Sequence, residues 1–234
     1  MACPATASAA AFLPVLTVED LWPPFALSIT CGPLSLRAMR DDDLPELVAA
    51  AADGIHGDDL RPFPRAWAGR PTTELGRDLA SRYWRHRANF SSDEWGLPLV
   101  ARFEGRIVGV QGAEAVRYPV LRTPDTFSWL TRSVQGRGLG TLMRQAICVF
   151  LFDELDAHAV TSGAYADNPA SAAVSRKVGY VANGTRLELR DDAAAEHHKF
   201  ILMRDRLVRP ERPVVVEGGA ALRRFVGVPR PDEG

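Results

Sequence analysis

Ser128-Trp129-Leu130-Thr131-Arg132-Ser133-Val134-Gln135-Gly136-Arg137-Gly138-Leu139-Gly140-Thr141 is the stretch that decides the fold. An apolar strand runs into a glycine-rich turn that opens a long amphipathic helix, on which Leu139, Leu142, Met143, Ala146, Ile147 and Phe150 recur at helical spacing. Such a face packs on a sheet. The first amides of a helix lack a partner four residues back and the helix dipole adds positive potential, so the turn favours a pyrophosphate. A dinucleotide-binding turn would want its third glycine where Thr141 stands, and a P-loop would want Gly-Lys-Ser/Thr. Neither is matched. Gly136, Gly138 and Gly140 also suit a plain strand-to-helix turn, and the rest of the chain decides between the two readings.

Outward from this stretch the elements alternate. Residues 1–29, with Pro4, Pro14, Pro23 and Pro24, read as an arm laid over the domain. Leu34, Leu36 and Ala38 alternate with polar residues as a strand does, Asp41 to Asp43 offer a helix N-cap before Leu44 to Ala52, and Gly54 stops that helix. Asp58 to Arg70, with Pro62, Phe63, Pro64 and Trp67, is a stiff aromatic loop. A second helix spans Thr73 to Asn89 with Leu75, Leu79 and Tyr83 inward and a basic opposite side. Leu97 to Phe103 and Arg106 to Val116 flank Glu104-Gly105 as a hairpin, and Thr126 to Arg132 is the strand entering the glycine turn. Ala159 to Tyr165 follows the long helix. Asn168 then suits an N-cap, Pro169 the first helical position and Gly179 the left-handed stop. Tyr180 to Leu189 and Lys199 to Leu207 close the order as a strand pair, and Val214 to Val216, Leu222 and Phe225 make the tail from Val208 apolar enough to dock on the domain or on a second subunit.

The chain has 234 residues, room for one domain of about 30–207 between an N-terminal arm, 1–29, and a C-terminal extension, 208–234. A net charge of -1 gives no global attraction to nucleic acid or to acidic membranes. Cys3, Cys31 and Cys148 lie far apart, without metal-ligand spacing, and their odd number argues against a disulfide framework. His56, His86, His158 and the pair His197-His198 show no metal spacing either. With no basic leader and no apolar run long enough to span a bilayer, the expectation is a cytoplasmic protein that needs no metal.

Gln135-Gly136-Arg137-Gly138-Leu139-Gly140 resembles the Gln/Arg-x-x-Gly-x-Gly/Ala loop of the GNAT acyltransferase superfamily. Asn168-Pro169-Ala170-Ser171, followed by Val174 to Tyr180, resembles the Asn-x-x-Ser and Gly-Phe/Tyr segment of the branch that includes the ribosomal-protein N-terminal acetyltransferases, and Ser128-Trp129-Leu130 is similar to the strand of that branch. The resemblance covers about residues 33 to 207. It implies an α/β (α+β) fold with a central mixed, mostly antiparallel twisted sheet, flanked by about four helices and splayed into a V between its fourth and fifth strands. It also implies a CoA-dependent N-acyltransferase using acetyl-CoA, with succinyl-CoA as the other donor some relatives accept. Trp129, Leu130, Thr131 and Arg132 would then line the pantetheine arm, with Leu130 and Arg132 offering it backbone groups. Gln135, Gly136, Arg137, Gly138, Leu139, Gly140 and Thr141 would hold the pyrophosphate, and Asn168 and Ser171 would contact the coenzyme.

Transfer from a thioester to an amine needs a neutral amine, a polarised carbonyl and an outlet for the leaving thiolate. One amide between Trp129 and Thr131, freed by the splay, would polarise the carbonyl. For the acid that meets the thiolate, Ser171 matches the motif serine, and Ser175 stands where many family members place a tyrosine. Glu114 is the favoured base, with Glu94 and Asp93 as alternatives. Phe63, Trp67, Trp84 and Trp95 would wall the acceptor site, and Arg77, Arg82, Arg85 and Arg87 would meet an acidic acceptor or acyl group. The acceptor stays open between a protein N-terminus, a lysine and a small amine, as does a homodimer. A non-catalytic acyl-CoA sensor on the same fold is the rival reading.

Overall fold

The computed structural model describes residues 15–57, 60–64 and 70–229, so Trp67 and the first part of the expected arm lie outside it. The chain opens with a short helix α1 (Val18–Leu21) and the strands β1 (Ser28–Cys31) and β2 (Leu34–Ala38). Helices α2 (Leu44–Ala52) and α3 (Thr72–Ala88) follow, then β3 (Glu94–Phe103), β4 (Arg106–Val116), a single turn α4 (Tyr118–Leu121) and β5 (Asp125–Leu130). Helix α5 (Leu139–Asp153), β6 (Ala159–Tyr165), α6 (Pro169–Val178), β7 (Val181–Arg190), β8 (Ala193–Met203), β9 (Val215–Glu217) and α7 (Gly219–Phe225) complete it. The sheet order is β7-β8-β6-β5-β4-β3-β2-β1-β9, and every neighbouring pair is antiparallel except β5 with β6.

Local signals explain most boundaries. Glu104 and Gly105 both adopt positive φ, the twist a two-residue hairpin needs, and join β3 to β4. The Asn168 side chain accepts from the Ser171 amide at 3.2 Å, Pro169 fills the first turn of α6, and Gly179 ends it at φ +107. Asp43 behaves otherwise than its spacing predicts. Its carboxylate turns from the helix to Arg37, to Arg102 and to the Arg40 amide, because two guanidiniums on β2 and β3 flank that site.

The ends of the chain belong to the core more than the proline-rich sequence indicates. Leu27 and Ile29 are buried, and β1 pairs with β2 on one side and with β9 on the other. The tail crosses the back of α5: Gln145 Nε2 donates to the Val208 carbonyl at 2.8 Å, and Arg209 makes a forked pair with Asp153. Covered by sheet on one side and tail on the other, α5 buries Gln145, Cys148 and Val149 as well as its expected apolar face. Each large apolar side chain sealed this way contributes about 1.5–3 kcal/mol.

Candidate active site

β5 and β6 pair only through Asp125–Thr161 and Thr126–Ser162, after which they part. The expected splay between the fourth and fifth strands therefore lies between β5 and β6, β1 having added one to the count. Which β5 groups face the gap follows from the other edge. The Thr131 amide donates to the Val108 carbonyl at 2.8 Å, which makes 131/108 a hydrogen-bonded rung of the antiparallel β4/β5 ladder. Alternation then turns Trp129 toward β4, and Ser128 and Leu130 toward the open side.

This sorts the strand residues that sequence grouped together. Leu130 keeps its amide on the gap. Arg132 does not: its amide donates to the Gly54 carbonyl and its carbonyl accepts from Gln135, so neither backbone group is available to an arm. Trp129 and Thr131 are likewise turned away, with Thr131 buried and its hydroxyl donating to Asp53 at 3.2 Å. Ser128, absent from the expected site residues, takes their place. Only the ladder alternation could have revealed it.

At the turn, Gly136 (φ +75) and Gly138 (φ +81) hold left-handed conformations, and a Cβ on either would meet open space. Gly138 is the N-cap of α5 and contributes no side chain to cap it. The amides of Gly136, Arg137, Gly138, Leu139, Gly140 and Thr141 donate to no acceptor among the described residues. Gln135 braces the turn rather than facing it, its Nε2 donating to the Ile55 carbonyl at 2.7 Å and to the Leu130 carbonyl at 2.8 Å. The Arg137 side chain is exposed. Gly140 packs close, a Cβ there falling 3.6 Å from Leu130 and from Val174. The result is a row of free donors at the mouth of the splay, the geometry that receives an anion.

Asn168 and Ser171 sit at the start of α6, Ser171 half-buried. Ser175 is a correction. Its side chain is fully buried and its hydroxyl has no partner among the described residues, because that position of α6 faces the core, so it cannot meet a thiolate in an open gap.

On the opposite face of the sheet from α5, a cleft of about 440 Å³ runs between α3 and the strands. Glu114 stands in it, in register with Gly96 on one side and Asp125 on the other. Although Glu114 still reaches solvent, withdrawal from bulk water raises its pKa above the ordinary carboxylate range, with Asp125 and Glu94 adding to the shift and Lys199 opposing it. Asp125 accepts from the Thr161 hydroxyl at 3.1 Å. Glycines pave this face. The imidazole of His86 covers Gly96, the ring of Phe127 covers Gly112 and His197 covers Gly163, each occupying the place of a missing Cβ. Burial, with Arg85 and Arg82, holds His86 below its usual pKa, which keeps the imidazole neutral near pH 7. His86 and His197 had no motif spacing to mark them.

The expected aromatic wall is rearranged. Trp95 is buried on the α5 side, because strand alternation gives the cleft to Gly96, and Trp84 lies exposed on α3 with its indole donating to Asp41 at 3.1 Å. Phe63 is 6.2 Å from His56, and the loop that carries it meets the β7/β8 turn through Asp191, whose amide donates to the Pro64 carbonyl at 2.7 Å. Arg85 borders the cleft, while Arg87 pairs with Asp41. No group of three or more His, Cys, Asp or Glu among the described residues could hold a metal ion, and no described helix is long and apolar enough to cross a membrane.

The acetyltransferase (GNAT) domain family matches residues 34–181, well over half of the chain, and the chain belongs to that family; it is an N-acetyltransferase. Solved structures share the fold. A Mycobacterium smegmatis RimJ in complex with CoA-disulfide is 21% identical with a TM-score of 0.65, over 86% of this chain and 94% of that one. RimL, a ribosomal L7/L12 alpha-N-protein acetyltransferase in complex with coenzyme A, is 18% identical with a TM-score of 0.60, over 74% and 95%. A Salmonella typhimurium acetyl transferase that modifies the N-terminal serine of 50S ribosomal subunit protein L7/L12 is 17% identical with a TM-score of 0.58, over 73% and 95%.

Proposed function

We propose that this chain transfers the acetyl group of acetyl-CoA directly to a primary amine, with an exposed protein N-terminus as the acceptor the Rim-type folds favour. The observation that carries the reading is the row of unpaired amides from Gly136 to Thr141 at the mouth of the β5/β6 splay. These amides would receive the diphosphate, with the Arg137 side chain in reach of it, and Leu130 and Ser128 would bond the arm. Bound acyl-CoA supplies an activated thioester. The Ser128 amide would polarise its carbonyl, and Glu114 would take the proton of the incoming ammonium. Asn168 and Ser171, at the start of α6, would contact the coenzyme. Succinyl-CoA is the alternative donor, and a direct competition between the two separates them. The cytoplasmic setting and the division into arm, domain 30–207 and extension belong to this proposal.

Incubation with acetyl-CoA and a panel of N-terminal peptides and small amines, following release of free thiol, tests it. Release that depends on an amine is expected. Binding of acetyl-CoA without release in any amine would favour the sensor reading. Glu114→Gln should lower kcat/KM by about 10²–10⁴-fold while acetyl-CoA still binds. Because the active form of Glu114 is the carboxylate and its pKa is raised, kcat/KM should fall as pH drops through a value above the ordinary carboxylate range, and the variant should lose that inflection.

A further inference from the structure

Arg144 on α5 is buried to 3% exposure and pairs with no carboxylate among the described residues. Its Nη1 donates to the Ser162 hydroxyl at 2.6 Å and its Nη2 to the Ser128 hydroxyl at 3.1 Å, while its buried Nε has no partner among the described residues. Ser162 belongs to the last paired rung of β5 and β6, and Ser128 lies two residues beyond it on the splayed side. The guanidinium therefore spans both strands beneath the point where they separate. Arginine is the side chain that keeps its charge when buried, and burying such a charge without an anion costs more than burying an apolar side chain. Two neutral serines do not repay it.

The groups around Arg144 leave the charge standing. Ser128 faces it from β5 and Ser162 from β6. Cys148 on its own helix and Tyr180 after α6 lie within its field, and burial keeps both protonated, the Cys148 thiol pushed up to about 11 and Tyr180 well above its usual value. Glu114 and Asp125 are on the other face of the sheet. Among the described residues, no carboxylate pairs with Arg144.

We propose that Arg144 supplies the fixed positive charge that lets the coenzyme sulfur leave as a thiolate. The inference rests on the coenzyme reading above. With the diphosphate at the glycine turn, the arm would run back along β5 past Leu130, at about 3.3 Å per residue, and its thioester end would come level with Ser128, the residue to which Arg144 donates. In the transfer the amine nitrogen bonds to the acyl carbon, the carbon–sulfur bond breaks, and its electron pair stays on sulfur. Glu114, after passing the ammonium proton to the solvent it reaches, takes the proton that nitrogen sheds as the amide forms. The permanent charge of Arg144, acting at a distance through the Ser128 hydroxyl it donates to, does the work of a protonating acid.

Protein saturated with free CoA, titrated with base while ultraviolet thiolate absorbance is followed against CoA-free protein, reads the ionisation of the bound thiol. Wild type should ionise at least about one pH unit below free CoA, and Arg144→Met should return the bound thiol to the free value or above it, with CoA affinity little changed. Arg144→Gln, which keeps donors for the two serines and removes the charge, should behave the same and serves if Arg144→Met fails a thermal-melt check of folding. A thiol pKa identical in wild type and both variants overturns the inference while leaving the coenzyme site intact. Failure of wild type to bind CoA at all sinks that site and this inference with it.

Discussion

Two helices begin on either side of the splay and end their backbones in opposite ways. At α6 the Asn168 side chain closes on the Ser171 amide, and a proline removes another donor. At α5 the N-cap is a left-handed glycine and six successive amides are left without a partner among the described residues. The same chain that caps one helix with the best residue for the task leaves its neighbour open. An uncapped start costs stability, so the contrast marks α5 as the end that a ligand completes. A third start, that of α2, differs again, since the buried Asp43 there serves a part-buried cluster with Arg37 and Arg102.

Closing the open end should give the largest effect. Gly138→Asp places a carboxylate where the anion belongs and should weaken acyl-CoA binding by about 100-fold, or about 2.7 kcal/mol, as calorimetric titration reads, while the left-handed backbone there should lower the melting temperature modestly. Tight binding by this variant would erase the contrast between the two helices. The α2 start comes next. Burial raises the Asp43 pKa, but the Arg40 amide, Arg37 and Arg102 outweigh it, so its folded value is lowered. A lowered folded pKa stabilises above the unfolded value, and that stability is lost as pH falls through the folded one. Asp43→Asn should cost about 2 kcal/mol near pH 7, and the gap from wild type should close in acid, as chemical denaturation across pH would show. The smallest effect belongs to the closed end. Asn168→Ala should cost about 1 kcal/mol, measured by thermal melting, and should change coenzyme affinity far less than Gly138→Asp does.

Features set by neighbours in sequence were legible from it. The Asn168-Pro169 start and Gly179 stop of α6, the Glu104-Gly105 hairpin and the inward Leu75, Leu79 and Tyr83 of α3 each depend on a few adjacent residues. Features set by distant partners were not. Ser28–Cys31 becomes a strand because β2 and β9 pair with its two edges, and the sealing of α5 depends on a tail that returns across it. In the site, Gly96 faces the cleft while the Trp95 side chain is buried in the core, and Ser128 and Leu130 rather than Arg132 meet the gap, because cross-strand registers fix those choices. A buried arginine between two serines left no trace in composition or spacing, since Arg144 lies on a helix whose other residues read as ordinary core.

The free amides of the α5 turn can be watched directly by nitrogen–proton correlation NMR as CoA is added to the labelled protein. The amides of Gly136, Gly138, Leu139 and Gly140 should shift most, together with Leu130 and Ser128, as their protons gain acceptors. Saturable binding that leaves those signals in place and moves others would contradict the account.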